Sequence, residues 1–304
     1  MSLVRHLVWW HSQPMRRALC LMWAIGVLYA AAGCATHRPS APPASSKAGA
    51  SPTMPGAGPG VAMRVYFVRA DKVATAGRNV LDSPTAPPSS PPESRAAEQA
   101  VRALLAGPDD FERGIGLSSQ IPPATKLLGL NVADGTATVD LSNHFQSDGA
   151  ALPALPMQLR VAEVVCTLTQ FGGVRDVTIT LAGQPLQGAA HLQRADLEAV
   201  LPKILVESPT PGQTVTSPLQ VSGIANVFEG TVTYSVNAPD GAALDHGFTT
   251  VTGLEWGNWG PFAFTSNYPA NIPAQQHGLG RVIVWEVSMK DGSHRNIYEV
   301  PVNL

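Results

Sequence analysis

An apolar run that ends in a cysteine constrains the fold of this chain more than any other feature. Two arginines precede residues 18–32, and the run closes on Gly33-Cys34. Small residues before a cysteine are typical of a lipoprotein signal, in which the thiol receives a diacylglyceryl group and becomes the mature amino terminus. We therefore predict that residues 1–33 form a signal peptide, that Cys34 is lipidated, and that folding begins further along.

Two alternatives stay open for this segment, namely an uncleaved anchor helix and an ordinary secretory signal. A run of about 15 apolar residues is short compared with the roughly 20 that span a bilayer. The leader has a conventional length if translation begins at Met15 instead of Met1. The lipoprotein prediction places the protein at the cell membrane, on its extracytoplasmic face, with the membrane as a partner through the lipid anchor.

The three cysteines leave no pair for an intramolecular disulfide. Cys20 lies in the predicted signal and Cys34 carries lipid, so only Cys166 remains. Stability must therefore come from packed apolar cores, for which a hydrophobic content of 44% provides the material. Cys166 lies within an apolar helical stretch, which favours a small core residue over a nucleophile.

Charge and composition exclude a nucleic-acid binder that works by neutralising phosphates. Lys+Arg 20 against Asp+Glu 22 give a net charge of -2, and no long run of like charges occurs. The chain also has 28 glycines and 27 prolines. Residues 34–61 are rich in Pro, Ala and Ser with few large apolar side chains, so we predict a disordered tether there.

The segment 62–195 alternates strand and helix patterns. A small sheet with two helices on one face, an α+β layer, explains this order. The predicted elements are a strand at 64–68, a helix from a capping box at 90–93 to Gly107, a hairpin across Asp134-Gly135, a helix at 155–171 and a strand at 174–181.

The segment 203–304 contains about seven short apolar runs without helical periodicity. Turn signals such as Asp240-Gly241 and Asp291-Gly292 separate them. This pattern predicts an all-β, immunoglobulin-like antiparallel sandwich, and the single cysteine excludes a disulfide across its core.

Several motifs of the first segment resemble the GerMN domain as an ordered set. They are Val65-Tyr66-Phe67, residues 100–108, Gly116-Leu117 with Ile121-Pro122, residues 137–142, and residues 167–171. Residues 204–212, 217–225, 227–232, 259–262 and 290–292 resemble the Gmad2 immunoglobulin-like domain, which often follows GerMN. The resemblance implies an envelope-facing module related to ring-building folds of secretion machinery, with no enzyme activity and no cofactor.

The familiar signatures of hydrolases and zinc sites do not occur in the sequence. It contains no H-E-x-x-H, no C-x-x-C and no G-x-S-x-G. Two groups of acidic residues are more typical of solvated loops than of cation or acid–base sites: His144 with Asp140 and Asp148, and Asp109-Asp110 with Glu112. We accordingly predict no catalytic residue, no metal site and no cofactor.

Trp256 and Trp259 are the candidate ligand contacts, because they sit close together in a glycine-rich loop where aromatic rings can be exposed. The alternative for Trp259 is an anchor at the edge of the sandwich, which leaves Trp256 as the stronger candidate. Nearby, we predict Phe228 as a core plug and Gly230 as a turn residue.

The sequence thus predicts a membrane-anchored lipoprotein of the sporulation and germination type that acts as a non-catalytic binding or assembly module. Its expected partner is another envelope protein or a second copy. The alternative is a cell-wall glycan binder or sensor that presents Trp256. Nucleic acid is not an expected partner.

Overall fold

A computed structural model describes residues 61–80, 92–253 and 259–304 of the chain. The predicted signal, most of the predicted tether, Cys34 and Trp256 lie outside the described residues. Within the described part, no helix is both long and apolar enough to cross a membrane.

The described chain begins with an antiparallel hairpin of strands β1 (Val61–Arg69) and β2 (Lys72–Val80). Both faces of β1 are covered, since the four consecutive side chains from Val65 to Val68 are buried. The sequence pattern predicted β1 but missed β2. The buried residues of β2 are mostly small, as Ala74 and Ala76 show, so β2 has little of the apolar alternation that marks a strand.

A second sheet has the strand order β3-β4-β5-β6, with β4 and β5 parallel. Its members are β3 (Leu127–Ala133), β4 (Thr136–Leu141), β5 (Asp176–Leu181) and β6 (Gln184–Pro185). The predicted Asp134-Gly135 turn joins β3 to β4. Both residues have positive φ, 52° and 84°, the conformation that suits a two-residue hairpin.

The helices are α1 (Pro92–Leu105), α2 (Asp110–Gly114) and α3 (Leu155–Leu168). α1 buries Ala97, Val101 and Leu104 at its apolar face and contacts α3, β1 and β3. α3 makes the parallel crossover from β4 to β5 and is buried on almost every side. Two longer helices on a small sheet confirm the α+β prediction.

In the carboxy-terminal part, the described residues form seven strands, in agreement with the prediction of about seven. They are β7 (Ile204–Ser208), β8 (Leu219–Ala225), β9 (Thr231–Asn237), β10 (Ala243–Thr250), β11 (Gly260–Ser266), β12 (Leu279–Val287) and β13 (His294–Asn303). They make two antiparallel sheets, ordered β10-β9-β12-β13 and β11-β8-β7. Between the sheets, the rings of Tyr234 and Phe264 stack with centroids 3.7 Å apart, so this part is a sandwich with an aromatic core contact.

One hydrophobic core runs through both parts of the described chain. β7 contacts β2 as well as β13, so the first strand of the sandwich also borders the α+β layer. At Gly77 on β2, an added Cβ would lie 2.3 Å from the Thr210 hydroxyl oxygen, which shows how closely the two parts approach. Small residues in β2 permit this approach.

One residue of the sandwich differs from the prediction. Phe228 is 52% exposed and does not act as a core plug. The neighbouring Val227 is buried instead. Gly230 has a positive φ of 64°, in agreement with a turn role.

Candidate functional site

Of the two predicted ligand contacts, only Trp259 belongs to the described residues. Its ring packs against the hydrophobic core, and its Nε1 is buried without a hydrogen-bond partner among the described residues. This position agrees with an anchor at the edge of the sandwich. A ligand contact at Trp256 or Trp259 stays a prediction.

The group around His144 is not assembled into a site. Asp148 forms an ion pair with Arg160 at 2.7 Å, and hydrogen bonds from Arg160 lower the pKa of Asp148 to about 2. Asp140 accepts hydrogen bonds from the Thr180 hydroxyl and the Gly183 N–H, at 2.7 and 2.9 Å. Among the residues the structure describes, no three His, Cys, Asp or Glu side chains are placed to hold a metal ion.

The expectation that Asp109, Asp110 and Glu112 are loop residues was wrong. They belong to the start of α2, where Asp109 is the N-cap and Glu112 completes a capping box. Glu112 is only 3% exposed, and its carboxylate accepts hydrogen bonds from both terminal nitrogens of Arg78 on β2. A helix of five residues is too short to produce a periodic sequence signal, so the pattern could not reveal it.

Helix α3 carries a buried polar stripe that bonds to neighbouring backbone. The Thr167 hydroxyl accepts from the Tyr66 N–H at 3.2 Å, and the Gln170 amide bonds both the N–H and the C=O of Arg64. At the outer edge of β1, Val68 forms an isolated bridge with Ser118, and the backbone groups of Tyr66 and Arg64 find partners on and just after the helix. The polar stripe therefore supplies hydrogen bonds to β1 that a neighbouring strand would otherwise make.

Glu163 belongs to the same stripe and is fully buried. It accepts hydrogen bonds from the Ser119 hydroxyl at 2.7 Å and from the Gln120 N–H at 2.6 Å. Burial raises the pKa of Glu163 to about 8, although these hydrogen bonds and Arg160 act in the opposite direction. The carboxyl group holds the loop before β3 against α3.

A cluster of three polar side chains, Tyr66, Arg194 and Glu207, connects the α+β layer to the sandwich. We call it the junction cluster. The Tyr66 hydroxyl donates to Glu207 at 2.6 Å and accepts from Arg194 at 2.9 Å, while Arg194 also forms an ion pair with Glu207. Further bonds from Arg194 to the Thr169 hydroxyl and the Cys166 carbonyl oxygen fix the guanidinium group.

The electrostatics of the junction cluster follow from its burial. Burial and the neighbouring Glu207 carboxylate raise the pKa of the Tyr66 hydroxyl above its usual value, so it stays protonated and donates. Burial alone would raise the pKa of Glu207, but Arg194 and Arg64 outweigh it, and the pKa lies below its usual value. At neutral pH the cluster is therefore an ionised Arg194–Glu207 pair with a neutral phenol.

A second set of contacts joins the two parts at Tyr298 on β13. Its hydroxyl accepts from the Thr75 N–H at 3.2 Å, and the Thr75 hydroxyl donates to the Val206 carbonyl oxygen at 2.7 Å. The Arg69 guanidinium lies 5.1 Å from the centre of the Tyr298 ring, within cation–π range. Strands β1 and β2 therefore contact the sandwich at two separate places.

Cys166 lies beside the junction cluster and is fully buried, as predicted. Burial raises the pKa of its thiol to about 11, so the thiolate form is disfavoured at neutral pH. Its environment is that of a core residue.

Strand β3 has an outer edge that pairs with no other strand among the described residues, and we call it the free edge. It is the outermost strand of its sheet, and its seven residues carry no charge. Because the two-residue turn makes Ala133 and Thr136 a hydrogen-bonded pair, the N–H and C=O groups of Leu130 and Val132 point away from β4. No hydrogen bond from another described element reaches those groups, and Leu128 is 53% exposed.

Residues 64–187 match the Germane family model, described as sporulation and spore germination. Residues 203–293 match the Gmad2 model, described as an immunoglobulin-like domain of bacterial spore germination. The chain carries a GerMN domain followed by a Gmad2 domain. No curated protein matches the chain.

The solved structures similar to this chain include the following three. A protein from Clostridium perfringens classed as a lipoprotein is 18% identical, with 47% of this chain and 93% of that chain covered and a TM-score of 0.31. The first GerMN domain of the sporulation protein GerM from Bacillus subtilis is 22% identical, with coverages of 45% and 99% and a TM-score of 0.34. The tandem GerMN domains of GerM are 17% identical, with coverages of 68% and 61% and a TM-score of 0.36.

The matched ranges show where the junction cluster lies in this GerMN–Gmad2 chain. Tyr66 belongs to the GerMN match and Glu207 to the Gmad2 match, while Arg194 lies in the connector between them. All three pieces of the chain contribute one side chain to the same buried contact. Sequence patterns gave no sign of this cluster, because its members are separated by up to 141 residues.

Proposed function

We propose that this protein is a non-catalytic binding and assembly module of the cell envelope, held at the extracytoplasmic face of the membrane by lipid on Cys34. The two family descriptions, which concern sporulation and spore germination, support a role of the germination-protein type. The apolar run that ends in Gly33-Cys34 supports the anchor.

The free edge of β3 is the observation that carries the binding role. Exposed edge strands are usually protected by charge, proline, a covering element or a short length. β3 has no charged residue and no proline between Leu127 and Ala133, and its outward N–H and C=O groups are spaced to pair with another strand. The proposed partner is therefore an extended protein segment that adds to the GerMN sheet.

Photo-crosslinking in native membranes tests this edge. A photoreactive residue replaces Leu128 in the full chain, and the matched control replaces Leu279, which is exposed to a similar extent (46% against 53%) in the Gmad2 domain. We expect a discrete adduct from position 128 alone. Its mass distinguishes a second copy of this chain from a different envelope protein.

A backbone substitution makes the test specific for strand pairing. Val132→Pro removes an N–H that points outward and has no partner in the described fold, so the adduct should disappear while the melting temperature changes little. An adduct that survives Val132→Pro, or equal yields at positions 128 and 279, would contradict strand addition.

The anchor has its own test. In cells fed labelled palmitate, the wild-type chain should carry label and sediment with membranes, and Cys34→Ser should do neither. Cys20→Ser is the control, because Cys20 lies in the segment that cleavage removes. Label retained by Cys34→Ser would exclude the lipoprotein assignment.

A further inference from the structure

The outer face of the Gmad2 sheet β10-β9-β12-β13 carries an apolar row that the sandwich core does not use. Along β9, Val232, Tyr234 and Val236 point into the core. The residues between them point outward, and so do their neighbours on β10 and β12. Phe248 on β10 is paired with Thr233, and Thr233 is paired with Trp285 on β12.

The row is regular and spans the whole sheet. Phe248 is 74% exposed, and it lies two strands from Trp285, a separation of about 10 Å given a strand spacing of about 4.8 Å. The Trp285 ring stacks with the His294 ring of β13, with centroids 4.6 Å apart and planes 26° apart. Ile297, 54% exposed, extends the row on the last strand.

Short polar side chains and little charge surround these rings. Ser235 and His246 form the next pair along β9 and β10, and Thr231 pairs with Thr250 on the other side. The charged neighbours Arg281 and Glu299 lie within 4.0 Å of each other, which leaves no net charge on that part of the face. Phe248 offers an open ring face, whereas Trp285 is half-buried with a buried Nε1 and is covered on one side by the exposed His294 ring, so the second stacking contact is made by the Trp285–His294 pair.

This combination fits a sugar chain better than a protein or a lipid surface. A pyranose ring has an apolar C–H face that stacks on aromatic rings and hydroxyls at its rim that need hydrogen bonds. In an extended β-linked glycan every second ring presents the same face, and the disaccharide repeat is close to the spacing of Phe248 and Trp285. A protein anchor site would need a pocket, and a membrane surface would favour basic residues.

We propose that the outer face of the Gmad2 sheet binds an extended, uncharged, β-linked glycan, with Phe248 and the Trp285–His294 pair as two stacking platforms. The inference goes beyond the proposed function and uses no residue of the β3 edge. Trp259, which packs against the hydrophobic core, is not part of this surface.

Titration calorimetry with the full lipidated chain tests the proposal, in a detergent without a sugar headgroup. The probe is chitotetraose, a short β-linked chain of neutral sugars, and maltotetraose, which is α-linked and curved, is the ligand control. We expect chitotetraose to bind and maltotetraose to bind at least tenfold more weakly. Equal binding of the two, or no binding of chitotetraose, would overturn the proposal.

Two variants assign the binding to this face. Phe248→Ala should weaken chitotetraose binding at least tenfold without loss of stability, because the side chain is mostly in solvent. Met289→Ala is the matched control, since Met289 is 73% exposed but lies beyond the end of β12. If Phe248→Ala binds as tightly as Met289→Ala, the row is not the site. Crosslinking at position 128 should be unchanged in Phe248→Ala. The proposal of strand addition at β3 and the proposal of glycan binding can therefore be refuted independently of each other.

Discussion

Glu163 shows how a single buried carboxyl group ties stability to pH. Burial raises its pKa from 4.5 to about 8, so the folded protein holds a proton that the unfolded chain releases at lower pH. The contribution to stability is complete below pH 4.5 and is lost as the pH rises towards 8. Alkaline conditions should therefore weaken the contact between α3 and the loop before β3.

The test is the melting temperature of Glu163→Gln as a function of pH. The amide keeps an oxygen that can accept from Ser119 and Gln120 but does not ionise, so its stability should vary less between pH 4.5 and 8 than that of the wild type. Glu98→Gln, which changes a partly exposed carboxylate paired with Arg102, is the control. Parallel profiles for wild type and Glu163→Gln would show that Glu163 is ionised throughout this range.

At the scale of elements, the β3–β4 hairpin depends on one glycine. Gly135 has a φ of 84°, and a Cβ built there would lie 2.4 Å from Arg175 Nε. Gly135→Ala should lower the free energy of unfolding by about 1–2 kcal/mol, because an alanine is strained at positive φ. Urea unfolding measures the difference. Gly172→Ala, with open space around the Cβ position, should lower the free energy of unfolding by less. Equal decreases for the two variants would show that the hairpin does not depend on Gly135 in particular.

The elements also show what sequence patterns can and cannot predict. The β3–β4 hairpin was predictable because an Asp-Gly turn lies between two alternating runs. β2 was not, because a strand enclosed between helices and the sandwich needs small residues such as Ala74 and Ala76 rather than an apolar alternation. The polar stripe of α3 was visible as a periodicity, but its partners on β1 lie about 100 residues away.

The coupling between the GerMN and Gmad2 domains should depend on the junction cluster. Glu207→Ala leaves Arg194 and the Tyr66 hydroxyl without their shared acceptor, and breaking a buried ion pair costs about 3–5 kcal/mol. We expect a loss at the lower end of that range, because the Arg194 and Glu207 side chains keep some exposure. Calorimetry should then resolve two unfolding transitions for Glu207→Ala and one for the wild type.

A control and a rescue make this prediction specific. Glu198→Ala breaks an exposed ion pair with Lys203 and should leave a single transition. Arg194→Met combined with Glu207→Leu removes both charges together and should recover part of the lost stability. If Glu207→Ala still unfolds in one step with the wild-type enthalpy, the cluster does not couple the GerMN and Gmad2 domains.

The position of Arg194 in the connector also limits how such chains can be recombined. A hybrid that took its Gmad2 domain from another protein would keep Arg194 and Tyr66, and it would lose their shared acceptor unless the incoming domain supplied an acid where Glu207 stands. A shorter connector would move Arg194 out of hydrogen-bonding distance of both Tyr66 and Glu207. A change of side chain at Glu207 in the Gmad2 domain therefore calls for a matching change at Arg194 in the connector or at Tyr66 in the GerMN domain.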